Sequence, residues 1–238
     1  CLISLFVCYL SVYYSNDMQT KILKGKTVLI TGGTGTFGRT LAKRLLAVPV
    51  GRVNVLSRDE YKQDQMRREF NNNDRLNFFL GDVRSLNRLQ RAFVGADIVV
   101  HAAALKQVPA LEYNPLEAIQ TNIIGTQNVI DAALDNDVER VLFTSSDKAV
   151  QPVNLYGATK LCAERIIIAS NVYRGTKKRT RFSVIRFGNV VGSRGSVVEG
   201  IRLQRQPQEL HLTDERMTRF WISVDQVMDI LLEALTCF

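Results

Sequence analysis

Along the middle of the chain, short apolar runs alternate with longer segments whose apolar residues recur every three or four positions. The runs Lys26–Thr31 (KTVLIT), Arg52–Ser57 (RVNVLS), Leu76–Leu80, Asp97–His101 (DIVVH), Arg140–Ser145 (RVLFTS) and Arg181–Phe187 (RFSVIRF) read as strands. Between them Phe37–Ala47, Glu60–Phe70, Leu86–Val94, Pro115–Leu134 and Leu155–Val172 read as helices. A last amphipathic segment, Val224–Leu235, puts Val227, Ile230, Leu231 and Ala234 on one face. The strands are continuous apolar runs rather than alternating ones, as expected when both sheet faces are covered. Strands separated by helices of this length predict right-handed crossovers, hence an α/β fold with a doubly wound parallel sheet. After Gly188 the pattern weakens. A main domain over residues 18–188 and a smaller lobe over 189–238 are expected.

Composition narrows the classes. The chain has 238 residues, 46% apolar and 23% charged, which is globular usage. It excludes wholesale disorder, collagen-like repeats and a polytopic membrane protein. Cys1, Cys8, Cys162 and Cys237 form no CxxC pair, so a reducing compartment such as the cytoplasm is expected. With His101 and His211 the only histidines, no metal site is expected. A net charge of +8 suits an anionic partner without saying which. Residues 1–15 carry no charge, yet fall short of the ~20 apolar residues of a membrane span and lack a basic signal region. Residues 1–17 are therefore read as a non-native or disordered leader before Met18; a membrane-anchor remnant is the alternative. An apolar helix ending just before Phe238 reads as a truncated lobe.

Three constellations carry chemistry. Gly32, Gly35 and Gly38 in TGGTGTFG follow the first strand and open a helix, the placement that lets a pyrophosphate approach backbone N–H groups. Dinucleotide binding is the reading. Ser57, Arg58 and Lys62 stand where an acidic residue would hold the ribose of NAD, so a 2′-phosphate and NADP are favoured, with Asp59 adjacent. Asp82, in Gly81-Asp82-Val83, could accept from the adenine amine or cap the following helix. Tyr156 and Lys160 form YxxxK, sharing a helix face, so the ammonium could lower the phenol pKa and reach the cofactor ribose. Asp147 and Lys148 close the fifth strand, where ligands bind in such sheets.

TGGTGTFG, LSRDEYKQ, GDVR, HAAALKQVPALEYNP, TNIIGTQNV, SSDKAVQPVNLYGATK, RFGNVVGSRGSVV and TDERMTRFWIS together resemble the extended short-chain dehydrogenase/reductase superfamily. Within it the chain, from about Lys24 onward, is similar to the inverting UDP-N-acetylglucosamine 4,6-dehydratases of pseudaminic acid synthesis. The resemblance implies a hydro-lyase with tightly bound NADP, the Rossmann fold, UDP-N-acetylglucosamine as substrate and a homo-oligomer. It implies Tyr156 as base at C4, tuned by Lys160, with Lys148 taking the C5 proton and Asp147 protonating the departing 6-hydroxyl. Cofactor contacts implied are Thr34, Thr36, Phe37, Val83, Ala102, Ala103, Thr121 and Val190. Substrate contacts implied are Lys106, Asn189, Ser193, Arg194, Gly195, Ser196 and Arg219. Gln107 and the stretch from Glu199 to His211 depart from the family pattern.

Rival readings are another nucleotide-sugar enzyme of the superfamily, such as a 4-epimerase or a 4,6-dehydratase/5-epimerase of capsule synthesis, and an NADP-binding fragment without turnover. A 4-epimerase would need only the tyrosine, the lysine and a hydroxyl such as Ser146. The basic cluster from Arg174 to Arg181 lacks regular aromatic interleaving and reads as a solvated loop, not a nucleic-acid site.

Overall fold

A computed structural model describes residues 21–173, 179–191 and 214–236. Six strands form one parallel sheet: β1 (Thr27–Thr31), β2 (Arg52–Ser57), β3 (Leu76–Leu80), β4 (Ile98–His101), β5 (Arg140–Thr144) and β6 (Arg181–Ile185). Their order is β3-β2-β1-β4-β5-β6. The order reverses between β1 and β4, which opens a crevice at the carboxyl ends of these strands. Helices α1 (Thr36–Leu46), α2 (Glu60–Glu69) and α3 (Leu86–Ala92) follow β1, β2 and β3.

The apolar runs bury both faces of the sheet. Val28, Ile30, Val53 and Val55 pack on one side with Leu41 and Leu45 of α1. Leu29, Val99, Val141 and Phe143 pack on the other with Leu89, Val129 and Ile167. Alternate side chains of β1 therefore enter different cores, which is why its sequence shows no polar alternation.

Two regions depart from the expected elements. A short helix, α4 (Val108–Tyr113), occupies the stretch after β4, with Pro109 in its first turn. The expected helix Pro115–Leu134 is three pieces: α5 (Pro115–Ile119), a π-helical turn (Gln120–Ile124) and α6 (Gly125–Asp135). The π turn puts Thr121 and Asn122 inward, and Asn122 stitches the chain together there. Its amide accepts from Leu105 N at 2.8 Å and donates to Leu105 O at 2.9 Å and to Thr159 Oγ1 at 3.0 Å.

Helix α7 (Leu155–Tyr173) precedes β6. Beyond β6, β7 (Asn189–Val190) pairs with β8 (Trp221–Ile222) in a separate two-stranded sheet. Helix α8 (Val224–Thr236) ends the described chain. The sequence reading grouped it with the second lobe. Instead Val227, Met228, Leu231 and Leu235 join the main core beside Leu41 and Leu45, and Arg140 Nη1 donates to Leu235 O at 2.5 Å. Its apolar stripe packs beside α1 on that side of the large sheet.

Candidate active site

The loop after β1 is built on glycine. Gly32 has φ +68°, and a Cβ there would fall 2.8 Å from Ala103 Cα. A Cβ on Gly38 would fall 2.4 Å from Gly33 Cα, so the first turn of α1 rests directly on the loop backbone. Gly35 differs: its nearest neighbour would lie at 3.5 Å, which leaves room on its exposed side. Loop and helix start are thus shaped for close approach of a ligand to backbone.

Beside this loop lies a cleft of about 170 Å³. Gly32, Thr34, Ser57, Arg58, Lys62, Asp82, Val83, Ala103 and Thr121 line it, all expected from the sequence, together with Leu56, Asp59, Gly81 and Ala104. Asp59 caps α2, accepting from Lys62 N at 3.0 Å, and pairs with Lys62 Nζ at 2.7 Å; these bonds hold its carboxyl below the usual range. Arg58 lies 3.6 Å from Asp82. Burial pushes the Asp82 carboxyl up, but its bonds from Arg84 outweigh burial and hold it low. Asp82 does not cap the following helix: it accepts from Arg84 N at 2.9 Å, and Ser85 is the helix's first flanking residue. Gln63 fixes the tip of β2, donating to Ser57 Oγ at 3.0 Å and Phe79 O at 2.9 Å.

A dinucleotide fits these residues on one observation above the others. Thr121 Oγ1 is buried at the cleft and has no hydrogen-bond partner among the described residues. A buried hydroxyl left in that state is destabilising unless a ligand completes it.

Other expected cofactor contacts lie at the margins. Phe37 stacks on Phe187, with ring centroids 5.9 Å apart, and Val190 packs against the same core. Thr36 opens α1 and accepts at its carbonyl from Thr40 Oγ1 at 3.0 Å. Ala102 N donates to Thr31 Oγ1 at 3.2 Å.

The second cluster forms at the tip of β5 and the start of α7. Asp147–Ala149 make one 3₁₀ turn, and Ser146 Oγ accepts from Lys148 N at 3.2 Å. Ser146 Oγ lies 2.9 Å from Asp147 Oδ1 and stands beside the Tyr156 phenol. Lys148 Nζ donates to Asp147 Oδ1 at 3.0 Å and to Asn189 Oδ1 at 2.9 Å. The turn and α7 touch backbone to backbone: a Cβ on Gly157 would fall 2.1 Å from Lys148 O. Asn154 starts the helix, its Oδ1 accepting from Gly157 N at 2.8 Å. Tyr156 is thereby delivered to Ser146 and Asp147.

Lys160 sits deeper than its expected role requires. It is 3% exposed, donates to Thr144 O at 2.7 Å and lies 4.1 Å from the Phe143 ring centre. Burial pushes its amine down to about 7, against a smaller upward pull from Glu164. Burial also pushes the Tyr156 phenol up, opposed by the Ser146 bond and reinforced by Asp147. The expected lowering of Tyr156 by Lys160 is not what the free protein holds, because the Lys160 amine is directed at a backbone carbonyl. Glu164 is in turn held by Arg186, whose Nε donates to Oε1 at 2.7 Å.

His101 is not a catalytic group here. Its ring is sealed between Thr31 Oγ1 at 2.7 Å and Thr126 Oγ1 at 3.0 Å. Thr126 donates to Asn122 O, so it accepts from Nε2–H. Thr31 accepts from two backbone N–H groups and donates to Nδ1. Desolvation, then repulsion from Lys160, pushes its pKa down to about 3 and keeps it neutral.

The remaining expected residues are less concentrated. Lys106 is exposed after β4, and Arg219 is exposed before β8, donating to Thr218 O at 2.8 Å. Asn189 is on Lys148. Ser193, Arg194, Gly195 and Ser196 lie outside the described residues. Sequence reasoning missed Asn122, Thr144 O, Gly157 and the Glu164–Arg186 pair, and gave Ser146 no part in the leading scheme. Only Gly157, directly after Tyr156, carried a visible signal. Among the described residues no cluster could hold a metal, and no helix is long and apolar enough to cross a membrane.

Residues 28–238 match the family described as polysaccharide biosynthesis protein. The chain belongs to that family. It is 50% identical over 214 residues to the UDP-N-acetylglucosamine 4,6-dehydratase (inverting) of Campylobacter jejuni subsp. jejuni serotype O:23/36 (strain 81-176), covering 89% of this chain. It is 44% identical over 214 residues to the UDP-glucose 4-epimerase of Rickettsia bellii (strain RML369-C), covering 88% of this chain. The chain spans 64% and 62% of the lengths of these two relatives. Among solved structures it is similar to a double mutant of DesIV, a dTDP-glucose 4,6-dehydratase from Streptomyces venezuelae with NAD and DAU bound. The TM-score is 0.76 at 25% identity, covering 88% of this chain and 71% of that one. The sheet and its helices thus have the extended short-chain dehydrogenase/reductase fold of these proteins.

Proposed function

We propose that the protein is a C5-inverting UDP-N-acetylglucosamine 4,6-dehydratase with bound NADP. The observation that carries this reading is the Asp147–Lys148 pair, 3.0 Å apart and joined to Tyr156 through Ser146. Loss of water from C5 and C6 of a sugar needs one group to take a proton and one to give a proton. The ion pair and its neutral form, amine beside carboxylic acid, differ by one proton moved across that contact. The neutral form is the competent one: Lys148 takes the C5 proton while Asp147 delivers its own to the leaving oxygen.

Thr121, the loop at Gly32 and Gly35, and the cationic edge at Arg58 and Lys62 would hold the cofactor, whose chemistry when bound is hydride exchange with the sugar. Arg58 offers planar bidentate donors and Lys62 a point charge, a better match to a 2′-phosphate than to a bare ribose. Asp59, bound within its own cap, does not compete for that position. Tyr156 takes the C4 hydroxyl proton. Lys160 lies one helical turn behind it. The resemblance also supports a homo-oligomer acting in the cytoplasm.

Mass spectrometry of UDP-N-acetylglucosamine incubated with the protein and NADP⁺ in D₂O tests the proposal. The expected product has lost water and gained deuterium at C5, with inverted configuration by NMR. An unchanged mass refutes it. The 44% identity to a UDP-glucose 4-epimerase favours one second reading, C4 epimerisation through Tyr156, Lys160 and Ser146 without Asp147 and Lys148. That reading predicts a product of unchanged mass with altered C4 configuration.

A further inference from the structure

Asp147 and Lys148 belong to the tip of β5, yet two of their bonds reach the chain between β6 and β8. Asp147 N donates to Phe187 O at 3.1 Å. Lys148 Nζ donates to Asn189 Oδ1 at 2.9 Å, as close as its contact with Asp147 at 3.0 Å. Asn189 is itself anchored. It pairs with Trp221 across β7–β8, and its N–H donates to Phe220 O at 2.8 Å. Gly188 fits against the same segment so closely that a Cβ would fall 2.4 Å from Phe220 O. The acceptor that receives the Lys148 ammonium is therefore fixed by the small sheet.

We infer that Asn189 is a positioning residue for Lys148, aiming its nitrogen from β7 while adding no negative charge beside it. The inference deepens the dehydratase reading and rests on Lys148 being the base of that reaction. An ammonium needs acceptors to stay in place, but a base must also give up its proton. A carboxylate in contact favours the charged form, and Asp147 already supplies one. A second carboxylate at 189 would favour the charged form further and oppose release of its proton. An amide oxygen offers the same direction and hydrogen bond without that charge. Among the described residues the titratable groups at this turn are Asp147, in contact with Lys148, and Tyr156 on α7, beside Asp147. Arg186 beyond β6 is paired with Glu164, and β7 contributes only the neutral Asn189 and Val190. The resemblance placed Asn189 against the substrate, a role that predicts a different outcome.

Two variants of the full chain separate these roles: Asn189→Asp, nearly identical in shape, and Asn189→Ala, which keeps the backbone bond to Phe220. Competitive labelling of Lys148 with acetic anhydride across pH, read by peptide mass spectrometry, reports its titration without turnover. Asn189→Asp is expected to move that midpoint up by about one pH unit. An unmoved midpoint overturns the inference. With UDP-N-acetylglucosamine and NADP⁺, Asn189→Ala is expected to slow C5 deuterium exchange about tenfold or more while NADPH absorbance rises within about twofold of the unsubstituted rate. Equal loss in both readouts would make Asn189 a substrate-holding residue and overturn the inference. A labelling shift in a protein that releases no water would uphold the Asn189–Lys148 coupling and remove the dehydratase reading instead.

Discussion

Replacing Lys160 by methionine removes one buried amine while keeping a long unbranched side chain. In the fold this amine is pushed down from 10.5 to about 7, chiefly by burial. In the unfolded chain a lysine keeps its ordinary value of about 10.4. Between those two values the unfolded chain holds a proton that the fold does not, so stability rises with pH across that window. Below about pH 7 both states are protonated and the penalty is constant; above about 10.5 it is gone. At about 1.4 kcal/mol per pH unit, roughly 3–4 kcal/mol separates pH 7 from pH 10. The methionine variant lacks this dependence. It leaves Thr144 O without a donor, a loss of about 1–3 kcal/mol that pH does not alter. Urea unfolding midpoints of both proteins, without cofactor, measure the difference, and subtraction cancels every other titration. Lys160→Met is expected to be more stable by about 1–3 kcal/mol at pH 7 and less stable than the unsubstituted protein near pH 10. A difference that stays constant across this range would refute the reasoning, because it would mean that Lys160 is charged in the fold.

Four further outcomes are expected. His101, neutral in the fold down to about pH 3, should weaken the protein as pH falls from about 6.5, by about 1.4 kcal/mol per unit. His101→Gln lacks that loss, so its stability relative to the unsubstituted protein should improve on acidification; parallel acid-unfolding curves would count against this. Thr121→Val removes an unpartnered buried hydroxyl, so thermal stability should hold or rise while NADP affinity falls about three- to tenfold by fluorescence titration, and an unchanged affinity would mean that the hydroxyl faces no ligand. Gly157→Ala forces α7 away from Lys148 O and should lower stability by about 1–3 kcal/mol in chemical unfolding and abolish turnover; full activity would show that the turn can yield. Arg58→Ala should reduce the preference for NADP over NAD by about tenfold in paired titrations, and an equal loss for both would place Arg58 away from the 2′-phosphate.

Elements defined by burial on two sides were readable from residues alone. Val28 and Leu29 enter opposite cores, so β1 had to be a continuous apolar run, and the other strands follow the same logic. The stretch from Pro115 to Leu134 was read as a single helix because period alone does not separate an α turn from a π turn; the turn at Gln120–Ile124 is visible only in where Thr121 and Asn122 end up. Helix α4 escaped because six residues, one of them proline, show no period. Of the expected site groups, those lying at sequence-marked turns gather at the cleft and the tip of β5: the glycines after β1, the tip of β2, Asp147–Lys148 and the YxxxK pair. Groups recruited from other elements carry no such mark. Thr144 offers only a carbonyl, Glu164 needs Arg186 from past β6, and Asn189, expected only as a substrate contact, meets Lys148 across 41 positions of chain.

That division has a chemical consequence. The groups sealed in the interior, Lys160 and His101, are surrounded by backbone carbonyl, threonine hydroxyls and the Phe143 ring, and burial drives both toward neutrality. They can orient neighbours, but a proton bound there has no direct route to water. Asp147 and Lys148 differ: their side chains keep 25% and 35% of their surface accessible. In the proposed reaction a proton taken up by Lys148 can therefore pass to solvent. Inversion at C5 requires that the returning proton approach from the face opposite the one deprotonated, so the original proton need not be conserved. A solvent-open base and reprotonation from the other face both make deuterium wash-in at C5 the expected result of the proposed reaction. Retention of the original C5 hydrogen would therefore count against deprotonation at C5 by Lys148 followed by inversion.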